Sequence, residues 1–215
     1  MIDTKLILIE GMAGSGKSTT GQKLLDVHSI NNIRPEFYHE FSNNHPIINY
    51  SEPDINHWIN QTIQRWSNFV DNILKENKIV ILDAALFQCT IGELLEKGAK
   101  EIEIYKYAYQ ILDIIKPLNP TLIYFYQDDI VSSLHKVYES RSQKWQNKIC
   151  TFLDDTAFGK NNNQTDYELY LKFNKVLRKI TDEIFEQTTI SKIAIENSEP
   201  SWPDIYKKLN EFLQI

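Results

Sequence analysis

The stretch Leu6-Ile7-Leu8-Ile9-Glu10-Gly11-Met12-Ala13-Gly14-Ser15-Gly16-Lys17-Ser18 decides the fold. Its first four residues form a short apolar run of the kind that makes a buried parallel strand. Residues 11–18 then follow the spacing Gly, four residues, Gly-Lys-Ser. From Ser18 to Val27 the chain can continue as a helix. Strand, glycine loop and helix in this order form a cradle for phosphate. The glycines let backbone N–H groups turn inward, and the helix aims its positive end at the same anion. Gly11, Met12, Ala13, Gly14, Ser15, Gly16, Lys17, Ser18 and Thr19 are therefore the candidate nucleotide-binding residues. In this pattern Lys17 bridges the outer phosphates and the Ser18 hydroxyl ligates Mg²⁺.

Working outward, apolar strand-like runs alternate with helical patterns. The strand candidates are Lys5–Glu10, Glu36–His39, Lys78–Asp83, Thr121–Tyr126 and Lys192–Ile195, the second being the shortest of apolar character. Between them, Ile55–Leu74 places apolar residues close to a 3.6-residue period. Glu101–Lys116 reads as a helix that stops at Pro117. Asp166–Gln187 carries Leu169, Phe173, Leu177, Ile180 and Ile184 on one face, and Trp202–Leu213 closes the chain with Pro203 in its first turn. The alternation predicts an α/β fold: a three-layer, doubly wound parallel sheet of five strands within a single domain over residues 1–215. The aromatic residues at helical spacing, Trp58, Trp66 and Phe69, and Tyr105 and Tyr109, read as core, with stacking on a substrate ring as the alternative.

Ligands of such sheets bind outside the carboxyl ends of the strands, so acids there are the candidate catalysts. Asp83 ends the run Ile79-Val80-Ile81-Leu82 and is placed to hold Mg²⁺ directly or through water. Its alternative is a helix cap. Glu40 follows the second strand and could take the proton of an acceptor hydroxyl or clamp the acceptor. Asp128 and Asp129 follow the fourth strand and rival Asp83 for the metal, but their better reading is the cap of a helix over Ile130–Ser140.

The net charge of −6 and pI near 5.4 argue against a general nucleic-acid binder. No apolar run approaches the roughly 18 residues that span a bilayer, and the start of the chain lacks the basic region of a signal peptide. The two cysteines, Cys89 and Cys150, suggest neither a metal cluster nor a disulfide framework, so a reducing cytoplasm is the expected setting. A guanine-reading Asn-Lys-x-Asp motif is missing: Asn77-Lys78-Ile79-Val80, Asn147-Lys148-Ile149-Cys150 and Asn174-Lys175-Val176-Leu177 all lack the acid. Two function classes follow. One is an ATP-dependent phosphotransferase acting on a small hydroxyl- or phosphate-bearing acceptor. The other is a nucleotide-binding regulatory or NTPase module without an acceptor.

The phosphate loop, the Asp-ending third strand and the segment Pro120–Arg141 together resemble P-loop small-molecule kinases of the thymidylate and deoxynucleoside kinase type. The resemblance implies ATP as donor, Mg²⁺ as cofactor and a helical lid over roughly residues 136–165. It implies that Lys136 and Arg141 face the transferred phosphate or the adenine when the lid closes, with Lys17, Glu40, Asp83 and Arg141 as the catalytic group. It also implies an adenine-contacting loop near Asn197–Trp202, and long helices that pair subunits as a homodimer. The sequence departs from that family in two respects. Trp145–Thr165 is a longer, hydrophobic and Asn-rich stretch, in which Asn161-Asn162-Asn163-Gln164 reads as an exposed loop. The family typically carries an Arg directly after the acid of the third strand, and here the chain runs Asp83-Ala84-Ala85-Leu86-Phe87-Gln88.

Overall fold

A computed structural model describes residues 3–26, 33–48, 54–76 and 78–215. Five parallel strands form one sheet: β1 (Leu6–Gly11), β2 (Glu36–Tyr38), β3 (Val80–Asp83), β4 (Thr121–Tyr126) and β5 (Ser191–Glu196), in the order β2-β3-β1-β4-β5. β1 is central and all six of its residues are buried. Side chains alternate across a strand, so a strand covered on both sides is apolar throughout. Leu6, Leu8, Val80, Leu82 and Leu122 enter one apolar cluster, while Ile7, Ile9, Ile79, Ile81 and Ile123 enter the other.

The first cluster is covered by α2 (Ile55–Glu76), α4 (Glu101–Ile115) and α8 (Asp166–Gln187). Trp58, Trp66 and Phe69 of α2 are 2%, 0% and 5% exposed, so their helical spacing is a packing stripe. Burying one such ring is worth about 3 kcal/mol at 25 cal/mol per Å². Tyr105 and Tyr109 of α4 lie at its border with α8. Tyr105 donates to Glu183, and Tyr109 to Gln187 at 2.6 Å. The second cluster is covered by α1 (Lys17–Asp26) and α9 (Trp202–Leu213), which contribute Leu24, Ile205, Leu209 and Leu213.

Helix ends follow the expected chemistry in several places. α4 ends at Ile115, and Pro117 sits in a tight 3₁₀ turn over Lys116–Leu118. Asp129 caps α5 (Ile130–Glu139) by accepting the Ser132 N–H. Pro203 occupies the first turn of α9. Val27, expected to end α1, lies outside the described residues.

Two regions add structure beyond the sequence reading. After Asp83 the chain enters a π-helical segment, Ala85–Ile91, which runs into the short α3 (Gly92–Glu96). After α5, where the sequence suggested a long hydrophobic and Asn-rich stretch, lie α6 (Gln143–Asp155) and α7 (Ala157–Lys160). Their N-terminal N–H groups are capped by the side chains of Ser142 and Thr156. Among the described residues no helix is long and apolar enough to cross a membrane.

Candidate active site

The site forms where β1 and β3 end beside the start of α1. Gly14 and Gly16 adopt φ of +78° and +88°, a region that disfavours side chains. The surrounding packing demands glycine as well. A Cβ on Gly14 would lie 2.6 Å from Val137 of α5, and one on Gly16 would lie 2.2 Å from the Trp202 ring. The lid helix and the start of α9 therefore press on the loop from two sides. A further tether comes from Asn197 after β5, whose amide donates to the Ser15 carbonyl and accepts from the Gln127 amide at 2.5 Å. The Ser15 hydroxyl is buried without a protein partner. Thr19, the last of the candidate loop residues, is exposed.

Alternation along β3 puts Asp83 on the same face as Ile79 and Ile81, toward α1. Its carboxylate is fully buried, and its Oδ2 accepts the Ser18 hydroxyl at 2.5 Å. Its Oδ1 has no partner in the protein. A hydroxyl and a buried carboxylate with a free oxygen fit the donor set of Mg²⁺, which usually takes one or two protein ligands and completes its shell with phosphate and water. Among the described residues there is no group of three or more His, Cys, Asp or Glu side chains able to cage a metal without such help. His39 stands near the same carboxylate, Nε2 to Oδ2 3.7 Å.

Lys17 is 6% exposed and its ammonium is held by two acceptors, the Met12 carbonyl at 2.9 Å and the Gln88 side-chain oxygen at 2.7 Å. The Gln88 amide nitrogen donates in turn to Glu40 at 2.8 Å. A single side chain thus links the donor-side cation to the candidate acceptor carboxylate. Burial pushes the Glu40 carboxyl above its ordinary value and Asp83 adds to the rise, while Lys17 and His39 oppose it. A carboxylate so raised is a better proton acceptor than one in water.

Gln88 was not singled out by sequence reasoning, because nothing local marks it. It reaches the site through the π segment, which begins at Ala84 in a left-handed conformation (φ 60°). That segment hangs from Glu10, a fully buried residue whose two carboxyl oxygens accept the N–H groups of Leu86 at 2.7 Å and Phe87 at 3.0 Å. Glu10 is likewise a residue the sequence reading missed. Strand alternation could have found it, since it is an acid inside an otherwise apolar strand buried on both faces.

The structure brings Lys17, Ser18, Asp83 and Glu40 into one connected set. It does not join Lys136 and Arg141 to that set. Both are exposed, and among the described residues neither forms a hydrogen bond or ion pair to the loop. The Arg141 guanidinium lies over the Trp145 ring at 5.7 Å. Tyr105 is turned to α8, where it donates to Glu183.

This chain has a parallel five-stranded sheet with helices on both faces and a phosphate loop at the end of its central strand, the P-loop NTPase fold that solved thymidylate kinases also have. It is 25% identical over 204 residues to a thymidylate kinase of Brachyspira hyodysenteriae, covering 88% of this chain and 95% of that relative. The solved thymidylate kinase of Ehrlichia chaffeensis matches the whole of both chains at a TM-score of 0.54 and 14% identity. That of Candida albicans matches 99% of this chain and 92% of its own at a TM-score of 0.50 and 16% identity. Residues 4–132, more than half of the chain, match the family model described as Schlafen group 3, DNA/RNA helicase domain, and the chain belongs to that family.

Proposed function

We propose that the protein transfers the γ-phosphate of ATP to a small acceptor bearing a hydroxyl or a phosphate. The observation that carries this reading is the chain of contacts from Lys17 through Gln88 to Glu40, beside the Ser18–Asp83 pair. It sets a phosphate-binding cation and a candidate base on either side of one amide. Lys17 and the loop amides hold the phosphates, Lys17 exchanging a present acceptor for a phosphate oxygen. Ser18 and Asp83 would hold Mg²⁺, which when bound offsets charge on the phosphoryl oxygens. An acceptor oxygen then bonds to the γ-phosphorus, the bond from that phosphorus to ADP breaks, and a hydroxyl acceptor gives its proton to Glu40. Lys136 and Arg141 lie on the lid, where closure would bring cations to the developing charge. Acceptor-dependent ADP release with ATP is the test. ADP release indifferent to every acceptor sinks the reading.

The family description supports a second reading, an ATPase driven by nucleic acid. Against it, the matched segment stops at residue 132, while the similarity to thymidylate kinases covers 88% of the chain. ATP hydrolysis accelerated by single-stranded DNA or RNA, and not by small acceptors, would favour that second reading.

A further inference from the structure

The elements that build the acceptor end of the site are richer in acids than in cations, Arg65 of α2 being the guanidinium nearest Glu93. Residues 36–64, from β2 into α2, contain neither Lys nor Arg, and the same holds for residues 79–96, from β3 to the end of α3. Those two stretches carry Glu36, Glu40, Glu52, Asp54, Asp83, Glu93 and Glu96. Contacts tie two of them to the site: Asp83 is near His39 at 3.7 Å, and Glu40 takes the Gln88 amide. Glu93 is buried one helical turn past Cys89, with Lys97 at 3.4 Å.

The cationic side chains that reach these acids are already engaged. Lys17 faces the donor side, Lys97 pairs with Glu93, and Arg65 donates to the Ile47 carbonyl at 3.3 Å. His45 accepts the N–H groups of Ile47 and Ile48 on Nδ1, at 3.1 and 3.0 Å. The two positions after Asp83, Ala84 and Ala85, are fully buried and bring no charge.

A phosphate monoester carries close to two negative charges at neutral pH and is normally gripped by Arg, Lys or a helix N-terminus. The helix N-terminus at this site, that of α1, belongs to the donor loop. We propose that the acceptor is a hydroxyl compound without a phosphate, neutral or amine-bearing. This rests on the kinase reading above and narrows it. An amine complements Glu40 and Asp83, whereas a phosphate would face both carboxylates beside a Lys17 that serves the donor phosphates.

The test measures ADP formation by the full chain with two acceptor sets. One holds thymidine, deoxycytidine, deoxyadenosine, deoxyguanosine and the amine-bearing sugar kanamycin. The other holds the 5′-monophosphates of the same nucleosides. Like charges placed together cost enough that the best unphosphorylated acceptor should exceed every monophosphate by about 100-fold in kcat/KM. A monophosphate that equals or exceeds it overturns the inference and leaves the kinase reading standing. ADP formation that no acceptor accelerates overturns both. A second measurement reads binding alone. With ADP present, thymidine monophosphate should leave the melting temperature of the wild type unchanged and raise that of Gln88→Arg. Equal stabilisation of both proteins contradicts the proposal.

Discussion

Glu10 lies at the inner end of β1, and its substitution by Gln isolates one electrostatic cost of the site. Burial lifts its carboxyl from 4.5 to about 8, while the Leu86 and Phe87 amides and the Lys17 ammonium oppose the rise. In the unfolded chain the proton leaves near the ordinary value. The folded chain keeps it longer, so stability is greatest below about pH 4.5 and falls as pH rises toward about 8. For one group the slope is about 1.4 kcal/mol per pH unit, or about 5 kcal/mol over the whole window. Glu10→Gln removes that titration. It keeps one acceptor oxygen and sets an NH₂ against the second backbone donor, a loss of about 1–3 kcal/mol.

The variant should therefore be the less stable protein in acid and should gain on the wild type by about 2.5 kcal/mol between about pH 5.5 and about pH 7.5. Urea denaturation of both proteins at each pH measures this. Taking the difference cancels the contributions of Glu40, Glu93 and Glu96, whose carboxyls burial also raises. A difference that stays flat within about 0.5 kcal/mol across the window refutes the argument. Turnover supplies a second readout. With one amide of the π segment released, Gln88 loses its fixed position, and kcat should fall even at the pH where the two stabilities meet.

Lys17→Ala should abolish the thermal stabilisation given by ATP, and a retained shift would move the donor site elsewhere. Asp83→Asn should lower kcat by about 100-fold with ATP affinity little changed; undiminished turnover would hand the metal role to Asp128 or Asp129. Gly16→Ala should cost about 2 kcal/mol by urea denaturation, from a strained φ and the Trp202 contact. Adding Trp202→Ala should relieve the contact part alone, and strict additivity of the two losses would show that the ring does not press on the loop. Gln88→Leu should reduce kcat by at least 10-fold with the ATP-induced melting shift preserved, about what one lost positioning hydrogen bond produces.

The sheet was legible because its central strands announce themselves. Leu6–Ile9 and Ile79–Leu82 are apolar throughout, as a strand covered on both faces must be, and their spacing from helical segments implied parallel crossovers. The phosphate loop was legible because its spacing is tied to one chemistry. Much of the acceptor side was not. The π segment has no side-chain N-cap, and its first amides are bound by Glu10, more than 70 residues upstream. Gln88 meets Lys17 across a similar separation. Such partners are set by the register of β1 against β3, where Ile9 lies opposite Asp83, and no local window contains them. The lid was partly legible: Ser142 and Thr156 are ordinary capping residues, but the Asn-rich turn after them drew the reading toward loop.

The charge of the acceptor side also bears on the two readings of the family. A strand of nucleic acid brings a row of phosphates and is bound through Lys and Arg whose contacts release counterions. That requires an open basic groove at the active face. Here Ile47, after β2, is 1% exposed, and the carboxylates gathered at the site, Asp83 and Glu40, stand beside a Lys17 ammonium already held by Met12 and Gln88. Such a surface would repel the phosphates a helicase must hold, while a compact hydroxyl compound meets no such opposition. The phosphate-loop half of the chain can be shared between motor and kinase, since both bind the same phosphates. What differs is the face opposite the loop, and there the acids, the buried aliphatics and the Gln88 bridge suit a small acceptor enclosed against Glu40.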